Sequence, residues 1–455
     1  DTVTVLEHCR VSPPPGTVAE KSLPLTFFDL PSLHLPLIHH IIFHEYPHSN
    51  THFVDTIIPK LKHTLSLTLK HFFPLAGNLI FPPNSSKPEI RYLDGDSVSL
   101  TFAESSNDFN HLTGNHARNA DEFYPLVPKM PPVFVLSGTL QAPIVAVQAT
   151  LFPDFGICVG FTFRRVTGDG NACTGFIRSL ASITKFGGDE ALLASSSSSV
   201  LPFYDRTVIN DPNGLEEIFW SQVGRTKFEG SQPQYVPTNK VRATFVMGRT
   251  DVQRLKELVT AQRPTLSHVS TFTITCAYIW TCMVKSRAPG GEEVGEDELE
   301  HFVVGADCRA LLDPPIPGNY FGNCLVSCFA TVKTTQLLQQ QGFLVAAEAI
   351  GEAIRKKLRS NEGVLKGAET WILDFEALKP ERIVGIAGSP KFAVYDMDFG
   401  WGKPKKSEVI SIDTTGSMSL NECRDSKGDM EVGLSLPKIK MDAFAAIFAD
   451  GLKVP

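Results

Sequence analysis

The stretch Arg164-Arg165-Val166-Thr167-Gly168-Asp169-Gly170 sets two arginines and an aspartate among glycines in this 455-residue chain. Two guanidiniums and one carboxylate in a glycine-bearing turn are suited to holding anions and to locking a loop by ion pairing. They are not suited to taking protons, because arginine stays charged far above pH 7. The thirteen histidines all lie outside the turn. His40, His44, His48 and His52 recur at i, i+4 spacing, which on an unbroken helix would put four imidazoles on one face and suit a metal. Pro47 interrupts that helix, so these side chains are expected to be exposed polar residues, and no metal site is expected.

The turn needs neighbours to place it. GICVGFTF (156–163) before it reads as a buried strand. NACTGFIRSLASITKF (171–186) after it reads as an amphipathic helix whose buried side is Phe176, Ile177, Leu180, Ile183 and Phe186. Asn50 to Phe73 carries a helical stripe of Val54, Ile57, Ile58, Leu61, Leu65, Leu69 and Phe72, stopped by Pro74 and Gly77. LIF and EIRYLDGDSVSLTFAES predict strands, with a hairpin at Asp94-Gly95, and a further strand runs through APIVAVQATLF. Alternating strands and helices make residues 1–190 one mixed α/β domain. The five serines 195–199 open a polar stretch, so 191–240 reads as a linker. A second αβ domain then spans 241–455. It is built from strand KVRATFVMG, a helix capped by Thr250, helix STFTITCAYIWTCMVKS, strand EHFVVGADCR, helix FLVAAEAIGEAIRKKLR, a hairpin EVISID…GSMSLNEC and a final helix.

Composition narrows the function. Apolar residues make up 42% and charged residues 20%, as in a folded globular protein, and the net charge of −7 argues against a nucleic-acid or anionic-membrane surface. No apolar run reaches the roughly 18 residues of a membrane span, and the first residues do not read as a secretory signal. Nine scattered cysteines without a CxxC pair point to reduced thiols in the cytosol.

Six stretches carry a family pattern in order along nearly the whole chain: LPLTFFD (23–29), LKHTLSLTLKHFFPLAGNL (61–79), RRVTGDG (164–170), SHVSTFTITCAYIW (267–280), ADCRALLDPPIPGNYFGNCL (306–325) and DFGWGKP (398–404). Together they resemble the plant BAHD acyl-CoA-dependent acyltransferases, in particular the malonyl-transferring branch that acts on anthocyanin and flavonoid glycosides. The resemblance implies two similarly built mixed-sheet αβ domains, chloramphenicol acetyltransferase-like, with a channel between them. It implies a catalytic turn His-x-x-x-Asp-Gly in which the histidine is the base, and Arg165 stands at that position here. By the same resemblance Asp169 pairs with Arg309 to lock the turn, and Gly168 and Gly170 give it backbone freedom. Asp398, Gly400 and Gly402 shape a loop from which Trp401 offers its indole N–H to the oxyanion. Arg178 clamps the donor's free carboxylate. Ser267, His268, Ser270 and Asn323 line the CoA face, and Lys403, Lys405 and Lys406 could neutralise CoA phosphates.

The function expected from this is O-acyl transfer from CoA, malonyl or another small acyl group, to a hydroxyl of a phenolic glycoside, without the usual base. Acyl-CoA would be a co-substrate with no bound cofactor, and the protein a cytoplasmic monomer. The alternative is a diverged member: a lyase or cyclase whose Arg164, Arg165 and Arg178 hold an anionic substrate, or a non-catalytic binding protein.

Overall fold

A computed structural model of the chain describes residues 2–84, 86–194, 201–230, 238–266, 269–295 and 297–453. Strands of the first half are β1 (Val3–Val11), β2 (Lys21–Pro24), β3 (Ile38–Glu45), β4 (Asn78–Phe81), β5 (Glu89–Tyr92), β6 (Val98–Ser105), β7 (Arg118–Asn119), β8 (Phe134–Leu136), β9 (Thr139–Pro143), β10 (Val145–Phe152) and β11 (Gly156–Phe163). The second half adds β12 (Lys240–Met247), β13 (Leu299–Asp307), β14 (Leu325–Lys333), β15 (Ile383–Ala387), β16 (Lys406–Val409), β17 (Met418–Glu422) and β18 (Met430–Pro437). They form two large mixed sheets, β1-β6-β10-β11-β3-β16 and β14-β13-β15-β17-β18-β12-β7, and a smaller one, β2-β5-β4-β9-β8.

Strands β10 and β11 are buried along their whole length, which is why their sequences are nearly continuous apolar runs. On one face Phe161 and Phe163 meet Phe176 edge-on, docking the Gly170–Phe186 helix onto the sheet. That helix also packs on the Ile58–His71 helix, where the Thr64 and Thr184 hydroxyls lie 2.9 Å apart. The opposite face is covered by Phe109, Leu112, Phe123 and Leu126.

Several expectations change. The stretch 50–71 is helical, but residues 53–57 form a π turn, so Phe53 rather than Val54 faces the core and Val54 is exposed. Phe186, expected on the buried side of its helix, is exposed. The turn at Asp94-Gly95 does not close a hairpin, because β5 and β6 belong to different sheets. Likewise β16 and β17 do not pair with each other. The helix Arg249–Gln262 starts one residue before Thr250, with Gly248 at the cap. The stretch 191–240 contains a helix, Leu215–Val223, whose Leu215, Phe219 and Val223 are buried; the serine run lies outside the described residues. The boundary is also crossed twice: β16 completes the first sheet against β3, and β7 extends the second against β12.

A buried ionic cluster accompanies that crossing. Glu408 receives Arg118 at 2.6 Å and Arg242 at 3.1 Å, and Arg242 also bonds Asp413. Burial alone would push the Glu408 carboxyl up. Arg118, Arg242 and Lys406 overcome that and hold it at about 2.

Candidate active site

The turn begins where β11 ends. Arg165–Thr167 make one 3-10 turn, and Asp169 then caps the Gly170–Phe186 helix by accepting from the Ala172 N–H at 3.1 Å. Arg309 grips the Asp169 carboxylate with both terminal nitrogens, at 2.9 and 3.0 Å, and the Cys324 N–H adds a further bond at 3.0 Å. Burial alone would pull the Arg309 guanidinium down, but Asp169 reverses this and holds it above its ordinary value.

A second lock holds the turn from the other side. Asn323 Nδ2 shares its hydrogens among the carbonyls of Arg165 and Val166, each 3.1 Å away, and Asp29 Oδ1 at 3.0 Å. Asp29 is fully buried and also accepts from the Thr26 N–H and the Asn323 N–H. Asn323, expected on the CoA face, is thus committed to the backbone of the turn. In the sequence Asp29 shows only as the end of the LPLTFFD stretch, because its partner lies 294 residues away.

The glycines act through space, not freedom. Gly168 has φ −178°, an extended conformation open to any residue, but a Cβ there would meet the Ala172 Cβ at 2.8 Å. A Cβ on Gly170 would sit 2.8 Å from the Phe392 ring.

The two arginines diverge. Arg164 turns inward, 5% exposed, donating from Nε to the Pro143 carbonyl at 2.9 Å with its guanidinium over the Phe228 ring. Burial lowers it to about 10, still charged at pH 7. Arg165 donates from Nε to the Pro36 carbonyl at 2.7 Å, and among the described residues its terminal nitrogens have no partner. Arg178 is exposed and reaches the Phe392 carbonyl, with Asp396 nearby. The three guanidiniums therefore do not converge on one anion, which removes the geometric basis for a substrate held jointly by Arg164, Arg165 and Arg178.

Trp401 is not at the turn. Its indole stacks on Phe399 and meets the ring of His44 at 5.2 Å. His44 pairs with Ile157, whereas the turn follows Phe163, so Trp401 sits about 20 Å down the sheet and cannot reach an oxyanion formed beside Arg165. Asp398 organises that distant loop. Its Oδ1 accepts from Gly400 N at 2.7 Å and Gly402 N at 3.0 Å, and its other oxygen pairs with Lys185 at 3.0 Å. Gly400 and Gly402 hold φ of 95° and 91°, a region that disfavours a side chain.

Of the CoA-face residues, Ser267 and His268 lie outside the described residues, and Ser270 is spent capping the Thr271–Lys285 helix. Lys403 bonds the Arg424 carbonyl, Lys405 lies 3.6 Å from Glu45, and Lys406 is buried against Thr244 and Glu431. His40 and His44, expected on the surface, are buried on a strand. Among the described residues no group of three or more His, Cys, Asp or Glu is placed to hold a metal.

Two features beside the turn escaped the sequence. His39 on β3 faces Thr162 on β11, its Nδ1 3.0 Å from the Thr162 hydroxyl. A cavity of about 420 Å³ is lined by His34, Phe81, Trp220, Arg225 and Phe228, the last being the ring under Arg164.

The architecture is shared with solved structures at low identity. Vinorine synthase has the same fold at TM-score 0.69 and 19% identity, covering 97% of this chain and 96% of that one. F. sporotrichioides TRI101 complexed with coenzyme A and T-2 matches at TM-score 0.63 and 15% identity, over 92% and 96%. A Transferase family model matches residues 2–450. A malonyl-coenzyme A:anthocyanin 3-O-glucoside-6''-O-malonyltransferase of Dahlia pinnata is 45% identical over 99% of this chain and 98% of its own length. Phenolic glucoside malonyltransferase 1 of Nicotiana tabacum is 47% identical over 99% of each. The chain belongs to the Transferase family, that of the BAHD acyl-CoA-dependent acyltransferases.

Proposed function

We propose that this protein transfers a malonyl group from malonyl-CoA to a sugar hydroxyl of a phenolic glycoside. The observation that carries the reading is full-length identity of 45–47% to proteins named for that transfer. The site is compatible with it. Both locks on the turn are intact, and the cavity beside Arg164 offers Phe81, Trp220 and Phe228 to an aromatic acceptor. Placement of two reactants can supply on the order of 7–11 kcal/mol of the barrier. The open terminal nitrogens of Arg165 would stabilise the oxyanion as the hydroxyl attacks the thioester. Arg178 keeps donors for the malonyl carboxylate in this reading, which a guanidinium binds with two parallel bonds.

The protein works as a cytosolic monomer in the same reading; the nine free cysteines favour the reducing compartment. Among the described residues no helix is long and apolar enough to cross a membrane.

The test is incubation of the full chain with malonyl-CoA and a panel of phenolic glucosides, read by mass spectrometry. Malonylated product with release of CoA is expected. No transfer by the wild type, with transfer appearing in Arg165→His, would overturn the reading.

A further inference from the structure

An acyl transfer needs a proton acceptor, and the motif position here holds a guanidinium that cannot serve as one. We propose that His39, delivered to the same place by the neighbouring strand, is the base, with Thr162 as its positioning residue. This rests on the acyl-transfer reading above.

Hydrogen bonding fixes the tautomer. The Thr162 hydroxyl lies 2.6 Å from the Pro128 carbonyl, which can only accept, so its single hydrogen goes there. Toward His39 the Thr162 oxygen can then only accept, and the Nδ1 atom at 3.0 Å must carry the ring hydrogen. Nε2 is left with its lone pair. It makes no hydrogen bond to any described residue, and unlike both ring nitrogens of His44 it is not sealed in the core. The main chain is held on both sides, by pairing of β3 with β11 and by the Ile410 N–H donating to the His39 carbonyl at 2.8 Å. Orientation at one nitrogen and access at the other is the arrangement a general base requires.

Proximity to the turn is equally direct. The carbonyl of Pro36, three residues before His39, accepts from Arg165, and the Arg165 charge acts on the His39 ring. Burial first and Arg165 second lower His39 to about 4, so its ring stays unprotonated throughout the physiological range. Arg165 is the charged group whose field reaches it.

The step balances. The acceptor oxygen forms a bond to the thioester carbonyl carbon while its proton passes to His39 Nε2. The tetrahedral intermediate collapses by breaking the carbon–sulfur bond, and the imidazolium returns the proton to the departing sulfur. Ester and free CoA thiol result, with His39 neutral again.

The experiment uses the full-length protein, malonyl-CoA and a phenolic glucoside accepted by the wild type. His39→Gln is expected to lower kcat by about 10²- to 10⁴-fold with malonyl-CoA binding by calorimetry unchanged. The acid limb of the wild-type kcat/KM profile is expected near pH 4, and Arg165→Gln should move it upward only in part, because burial, the larger cause, remains. Thr162→Val should lower kcat more than it raises KM, and ¹⁵N spectra should show the His39 ring losing its single tautomer. If His39→Gln does not fold, diethyl pyrocarbonate on the wild type gives the readout, with transfer lost in step with modification of His39. A wild type that transfers nothing overturns both readings. An active wild type matched by His39→Gln, or unaffected by modification of His39, overturns this one alone.

Discussion

β3 carries His39 toward one end and His44 toward the other, and their surroundings make the two behave differently. His39 has one nitrogen held by Thr162 and the other open, beside the turn. His44 is fully buried between Phe399 and Trp401, and neither of its ring nitrogens has a partner among the described residues. Burial drives His44 to about 3, against the opposing pull of Asp398. Both are neutral at pH 7, yet only one can exchange a proton with a bound reactant. Titration alone does not make a base; a lone pair with somewhere to go does.

The same contrast extends to the regions around them. The turn end is locked by ion pairs and shared carbonyls, the far end by stacked rings, and each can be broken separately. The largest effect is expected from Arg309→Ala, which leaves the Asp169 carboxylate buried without its cation. A loss of about 3–5 kcal/mol, seen in urea melts, should come with loss of transfer as the turn loosens. At the other end Trp401→Ala is expected to cost about 3 kcal/mol of stability through the cavity it leaves. Its kcat, measured on the folded fraction, should stay near wild type because the indole is remote from the turn; a drop of 10²-fold would restore Trp401 to the reacting centre.

A smaller effect separates the histidines by pH. His44 has a folded pKa of about 3 against 6.5 for a free imidazole, so the unfolded chain takes up the proton first. Stability is therefore fully present above pH 6.5 and lost as pH falls through the window from 6.5 to about 3. His44→Phe should remove about 2 to 3 kcal/mol of the loss between pH 7 and pH 4.5, at 1.4 kcal/mol per unit. Equal acid sensitivity in the variant and the wild type would show that His44 is not desolvated. Smallest is Gly402→Ala, where a Cβ meets nothing within 4 Å and only the positive φ is strained. About 1 kcal/mol is expected, read as a shift of the thermal midpoint.

The sequence disclosed what is local or carried in a motif. The strand, turn and helix from 156 to 186 were readable because apolar period and glycine position are short-range signals. The Asp169–Arg309 pair came with the family pattern, and the structure adds why it holds. His39 was not readable, since its relation to Thr162 depends on strand register across 123 residues. The missed assignment at Asp94-Gly95 has a related cause: turn residues state that the chain bends, not which sheet it bends into. Trp401 was misplaced because a motif conveys that a loop matters without saying whether it serves chemistry or packing.

Residues 118 and 408 stand 290 positions apart and share one buried salt bridge. The seam suggested by the serine run is thus stitched through, with strand β16 sewn into the sheet of the first half and β7 into that of the second. Replacing one half with that of a relative would therefore have to carry Arg118 and Glu408 as a matched pair, because each leaves the other's charge buried when it is lost.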